Sequence, residues 1–154
     1  MKNIDLEFLC DVIVYLAPVR DYSSNGYGSR RYVEITGGSF AGPKLNGAVL
    51  PGGADWPKVS GDGRVIRFDP RYSLETDDGA FIYLMNPGIR RADTATDYRD
   101  IAAMAVDDPD DTYFRTTPFF ETGHEKYQWL NHSIFVGTGA RRPNAVEMSF
   151  FEVV

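Results

Sequence analysis

Arg71-Tyr72-Ser73-Leu74-Glu75-Thr76-Asp77-Asp78-Gly79-Ala80-Phe81-Ile82-Tyr83-Leu84-Met85 is the stretch whose reading decides the fold. Its two arms, Arg71 to Thr76 and Ala80 to Met85, read as short strands. Asp77-Asp78-Gly79 between them is a hairpin signal, because Asp and Gly tolerate the backbone of tight turns. Upstream, Val65 to Phe68 reads as another strand. Gly47 to Trp56 is too rich in glycine for a helix and is interrupted by Pro51. Gly37-Gly38 and Gly42-Pro43 punctuate the chain after a strand over Arg31 to Thr36. At the start, Leu6, Phe8, Cys10, Val12, Val14 and Leu16 alternate with a more polar phase, the pattern of a half-buried strand. Cys10 falls in the apolar phase and reads as an inert small hydrophobe. Pro18 ends that strand, and Asp21 to Gly28 reads as a loop. Downstream, strands are expected over Thr112 to Glu121, Tyr127 to Val136 and Ala145 to Val154. The one helical window is Asp97 to Val106, with Tyr98, Ile101, Ala102 and Ala105 on one face, Thr94 as a cap and Asp107 to Asp111 as the stop. Many short strands and one helix predict a single all-β domain over 1–154, an antiparallel barrel or sandwich.

Composition narrows the function classes. The 154 residues carry 16 Lys and Arg against 22 Asp and Glu, a formal charge of −6, which argues against a general nucleic-acid binder. One cysteine and two histidines leave almost no ligands for a zinc site and none for a disulfide framework, so no metal and no cofactor are expected. No run of about 18 apolar residues is present, and the acidic start Asn3-Ile4-Asp5-Leu6-Glu7 is unlike a secretory signal. A cytoplasmic protein with no membrane contact is expected.

The familiar catalytic signatures are missing. Gly137-Thr138-Gly139 lacks the third glycine and the helix of a dinucleotide site. There is no P-loop, nucleophile elbow or His-Glu-x-x-His. Asp107 to Asp111 lacks the EF-hand spacing and reads as a solvated turn. What stands out is the mixture of aromatic and polar residues within strand patterns. Tyr113, Arg115, Thr117, Phe119 and Glu121 share one phase of a strand. Tyr127, Trp129, Asn131, Ser133 and Phe135 share one phase of another. A barrel holding a ligand in its lumen would use such residues, whereas a filled barrel would put the charges outside. Asp55 beside Trp56 is a candidate general acid or base, since a carboxyl in a partly dry site has a raised pKa; the alternative is an Asp accepting backbone N–H bonds in the Gly52-Gly53 turn. Arg31, Arg71 and Arg115 are strand arginines able to bind a carboxylate or stabilise an oxyanion. His124 and His132 have no visible partner.

Several segments together resemble the DUF3237 family, also called UPF0311: Gly37 to Pro43, Gly47 to Trp56, Asp69 to Gly79, Tyr113 to Thr116 with Phe120 to Thr122, and Tyr127 to Asn131 with Phe135 to Gly137. The resemblance covers nearly the whole chain. It implies a lipocalin-like (calycin-like) antiparallel β-barrel with a central cavity, and isomerase-, tautomerase- or cyclase-like work on small molecules in some members. Asp69-Pro70 stands where the family usually has Asp-Ala, which implies local stiffening.

Three functions compete on this reading. The first is a cofactor-independent isomerase, tautomerase, cyclase or lyase acting on a carbonyl compound with an aromatic or polyketide-like body. In it Asp55 moves the proton and Arg115 and Arg31 hold the oxyanion, while Trp56, Tyr113, Glu121, Trp129 and Asn131 contact the substrate. The second is a carrier of a hydrophobic small molecule. The third is a filled barrel whose strand edges offer a homodimer surface.

Overall fold

The computed structural model describes residues 2–92 and 112–154. Its strands are β1 (Leu6–Leu16), β2 (Arg20–Ser24), β3 (Ser29–Ala41), β4 (Gly47–Val49), β5 (Gly53–Asp55), β6 (Lys58–Val59) and β7 (Val65–Phe68). They continue as β8 (Arg71–Thr76), β9 (Phe81–Met85), β10 (Gly88–Ala92), β11 (Thr112–Thr116), β12 (Phe119–Glu121), β13 (Ile134–Arg142) and β14 (Ala145–Val153). The helix expected over 97–106 lies outside the described residues. Among the described residues, no helix is long and apolar enough to cross a membrane.

All pairings are antiparallel. Eight strands close a ring in the order β1, β14, β13, β11, β10, β7, β6, β3 and back to β1. The chain is therefore an all-β antiparallel barrel, as its hairpin signals predicted. Three of the barrel staves are longer than the ring shows. β7 runs on into β8, β9 into β10 and β11 into β12, and each is interrupted at a proline: Pro70, Pro87 or Pro118. A proline has no N–H to give the ladder. The register nevertheless carries across each break, Phe68 facing Gly88 as Arg71 faces Met85, and Gly88 facing Thr116 as Met85 faces Phe119. Backbone bonds from Asn86 N–H to Pro70 O (3.1 Å) and from Thr117 N–H to Pro87 O (2.9 Å) bridge the gaps. The hairpin between β8 and β9 turns at Asp77-Asp78-Gly79, with Gly79 at φ +85°.

Several expectations need correction: the stretch from Asp21 to Gly28, read as a loop, holds β2 up to Ser24, and β3 runs on through Gly37-Gly38 to Ala41. The alternation in β1 puts Cys10, Val12 and Val14 inside, but Leu6 and Phe8 are exposed. A register shift between Phe8 and Cys10 reverses the phase, so Leu9 is the buried residue there. The strand expected from Tyr127 is instead a 3₁₀ helix over Glu125–His132, and strand begins only at Ile134. Tyr127 and Leu130, three apart, are its buried residues, the spacing that stacks side chains on a 3₁₀ helix. Cys10 is fully buried and its thiol is pushed up to about 12 by that burial, so it stays protonated and inert.

The core fills one end of the barrel with Leu74, Ile82, Leu84, Phe120, Phe135 and Phe150, all within 1% of full burial. The Phe120 ring meets Phe135 and Phe150 edge-on at 4.9 and 6.0 Å. The other end is hollow.

Candidate functional site

In the hollow end, glycines stand in the inward phase of two strands, and neighbouring side chains take the space a Cβ would fill. Gly88 on β10, and Gly137 and Gly139 on β13, lie in that phase. A Cβ at Gly137 would come within 2.5 Å of Thr116 Oγ1, and one at Gly139 within 2.6 Å of the Phe114 ring. The cavity beside them measures about 90 Å³. It abuts the filled core at its floor, where Tyr72 and Met148 belong to both.

The lining is layered along the barrel axis. Arg31, Arg90 and Arg141 ring the end away from the core. Arg31 is buried, and its Nε lies 3.4 Å from Asp21 Oδ2 on β2, which ties that short outer strand to the barrel. The guanidinium beside Asp21, together with bonds from the Ser23 N–H and Ser29 hydroxyl, holds the Asp21 carboxyl below its ordinary range, with the Ser23 bond contributing most. Midway down, Phe68 and Phe114 stack at 5.0 Å with their planes 10° apart. Tyr72, Asn86, Thr116 and Met148 make the floor.

Asp55 opens into this cavity from β5, where it pairs with Val33 of β3. Its Oδ1 accepts the Asp69 backbone N–H at 3.0 Å. The residue keeps partial solvent contact, yet the protein packed around its carboxyl desolvates it. That burial, the largest influence, pushes its pKa up to about 7, assisted by the nearby Asp69 charge and opposed by backbone N–H groups and Arg141. The Trp56 indole is not the cause. It faces outward, 46% exposed, against Tyr22 and Tyr32 at 6.1 and 4.8 Å.

The structure thus brings together Asp55 and Arg31 and leaves the other sequence candidates outside the lumen. Arg115 is exposed; it donates to Phe114 O at 2.9 Å and lies 5.1 Å from the Tyr113 ring. Tyr113 is 38% exposed and also carries Arg91 over its face. Glu121 is exposed on β12. These three share the outward phase of their strands, while Phe114, Thr116 and Phe120 take the inward one. Trp129 sits on the 3₁₀ helix against the core with Lys44 over its ring, and Arg71 is solvent-exposed. Asn131 brackets Thr122, accepting from its N–H at 2.9 Å and donating to its O at 2.8 Å. Asn131→Ala is therefore expected to cost about 1–2 kcal/mol in a denaturant melt while leaving ligand affinity unchanged. Arg115→Ala is expected to shift stability by less than about 0.5 kcal/mol and to leave ligand affinity intact in calorimetry.

Sequence reasoning missed Arg90, Arg141, Tyr72, Asn86 and Thr116. Arg90 lies on a strand that was not read, and Tyr72 sat in the decisive hairpin with nothing to mark it as a cavity residue. Among the described residues, no three His, Cys, Asp or Glu side chains are grouped to hold a metal ion. Chemically, the cavity joins a partly protonated carboxyl, cationic groups and an apolar, aromatic wall.

The DUF3237 profile, described as a protein of unknown function, matches residues 4–153. A UPF0311 protein of Rhodopseudomonas palustris is 35% identical over 152 residues, covering 99% of this chain and 98% of its own. Its crystal structure superposes with a TM-score of 0.90 at 34% identity over 100% of both chains. A structure described as a beta-barrel like protein from Acinetobacter baumannii is 39% identical, with a TM-score of 0.86 over 100% of this chain and 98% of the other. A hydroalkoxylation enzyme of Penicillium herquei is 31% identical over 148 residues, covering 96% of this chain and 80% of that protein.

Proposed function

Because the chain belongs to the DUF3237 family, whose barrel includes a relative named as an enzyme, we propose that it is itself an enzyme: a proton-transfer catalyst for a small carbonyl compound bound in the lumen, with Asp55 as acid and base. The observation that carries this reading is the position of Asp55, its carboxyl held by the Asp69 N–H beside a cavity lined by arginines and aromatic rings. A carboxyl titrating near neutrality is available in both forms at working pH, the condition for efficient general acid–base catalysis.

In an isomerisation, the Asp55 carboxylate takes the proton α to the carbonyl, and the electron pair moves onto the carbonyl oxygen as an enolate. Arg31, with Arg90 taking the place first given to Arg115, stabilises that oxygen. The Asp55 carboxyl then returns the proton at another position. Addition of an alcohol across a C=C bond has the same demands: one proton delivered to carbon and one taken from oxygen, which a single carboxyl performs in turn. The reading calls for no cofactor and places the protein in the cytoplasm, acting on a small molecule and not on nucleic acid.

The test is turnover of enones and hydroxy-substituted aryl ketones by the protein and by Asp55→Asn. A loss of about 10²–10⁴-fold is expected in the variant. Full turnover by Asp55→Asn sinks the assignment, and tight retention of unchanged compound by both proteins establishes a carrier instead.

A further inference from the structure

The closed end of the cavity holds a feature that proton transfer at Asp55 does not use. Tyr72, Asn86 and Thr116 are 4%, 1% and 4% exposed; Asn86 Oδ1 and Thr116 Oγ1 have no hydrogen-bond partner in the protein, and Tyr72 Oη has only the adjacent Asn86 amide, without a well-formed bond to it. One N–H of the Asn86 Nδ2 donates to Met148 Sδ at 3.3 Å and the Oδ1 is left as an acceptor. Tyr72 and Thr116 each bring a hydroxyl able to donate or accept. Buried polar groups are almost always satisfied, because leaving one unpaired costs about 1–3 kcal/mol. Three on one floor make a built polar end, separated from the arginines by an apolar, aromatic stretch of wall.

Size and charge limit what fits. The cavity of about 90 Å³ is well below the ~300 Å³ or more of a pocket for a drug-sized ligand, so its enclosed part holds about one ring. Phe68 and Phe114 stack within its wall, a surface suited to a flat ring. Arg31, Arg90 and Arg141 line the cavity four to six residues along their strands from the core residues Ile35, Leu84 and Phe135, and so form its mouth, opposite the floor. We propose that Tyr72, Asn86 and Thr116 form an oxygen-binding subsite, and that the ligand is a single-ring acid: its anionic group lies among the mouth arginines and a hydroxyl or carbonyl oxygen on the far side of its ring reaches the floor. This deepens the reading of the lumen as a small-molecule site and narrows its substrate class to monocyclic compounds polar at both ends.

The experiment is calorimetric binding of 4-hydroxybenzoate and benzoate to the full chain, which needs no turnover and so stands apart from the test of Asp55. The hydroxylated acid is expected to bind at least 5- to 10-fold more tightly. Tyr72→Phe and Thr116→Val, both close to isosteric, are expected to remove that preference while leaving benzoate affinity within 2-fold. Equal binding of the two acids by the unaltered protein overturns the floor subsite, as does no binding of either acid at millimolar concentration. Loss of the preference in Asp55→Asn but not in the floor variants would place the oxygen at Asp55 and also overturn it.

Discussion

Asp55→Asn is expected to lose turnover and gain stability together, with the gain growing as pH rises. Folding raises the Asp55 pKa to about 7, above the ordinary carboxylate range, so the folded state holds a proton that the unfolded chain releases. Where the folded state binds more protons, stability falls with pH. The penalty is absent below about pH 4, accumulates up to about pH 7, and is constant above that. Each unit by which folding raises the pKa is worth ~1.4 kcal/mol. Since Asp55 keeps partial solvent contact, about 2 kcal/mol is expected to separate the variant from the parent at pH 8, a rise of roughly 4–8 °C in Tm. Thermal melts of both proteins at pH 4.5 and pH 8 check this. Equal melting temperatures at pH 8 would show that the carboxyl is not desolvated, and would remove the physical basis for its role as an acid.

The largest loss of stability is expected from Gly38→Ala. Gly38 lies in β3 opposite Val14 of β1, at φ +146°, where residues with a Cβ are strained. A Cβ there would stand 2.0 Å from the carbonyl oxygen of Ile13 and 3.2 Å from the Val14 Cα, both backbone atoms that cannot swing aside. Backbone strain and overpacking each cost about 1–3 kcal/mol, so about 3–5 kcal/mol is expected from the pair. Gly52→Ala is the control. Its φ is also positive, at +102°, but nothing lies within 4 Å of the added Cβ, so only the backbone strain should register. Urea melts of both variants measure the difference.

The strands flanking the hairpin were legible because their evidence was local: alternation, turn residues and proline. The failures came where a long-range partner decided. Nothing within Leu6 to Leu16 announces the register shift at Phe8 and Cys10, which depends on the pairing with β14. Tyr127 to Val136 has aromatic residues enough for a strand, and only the spacing of Tyr127 and Leu130 hinted at the 3₁₀ turns. For the site, Asp55 and Arg31 stand out in the sequence and both line the cavity, but the indole beside Asp55 faces outward and is not what desolvates it. The inward phase of β11 was not, since Tyr113 and Arg115 look as suitable for a lumen as Phe114 and Thr116. That choice is favoured by Gly137 and Gly139 on the neighbouring strand β13, whose missing side chains leave room for Thr116 and Phe114. Gly137-Thr138-Gly139, which does not make a nucleotide loop, marks the inward phase of β11.

The pairing of β1 with β14 has a consequence for synthesis. β1 is made long before β14, yet the two are neighbours in the ring, and Asp5 and Val154 exchange backbone hydrogen bonds of 3.0 and 2.9 Å. The ring cannot close until the nine residues of β14 have been made, and β1 must wait with an open edge beside β3. Such non-local closure places folding in the slow range of small β proteins, about milliseconds to seconds. A chain interrupted before β14 keeps two unpaired edges, the geometry that recruits neighbouring strands into aggregates.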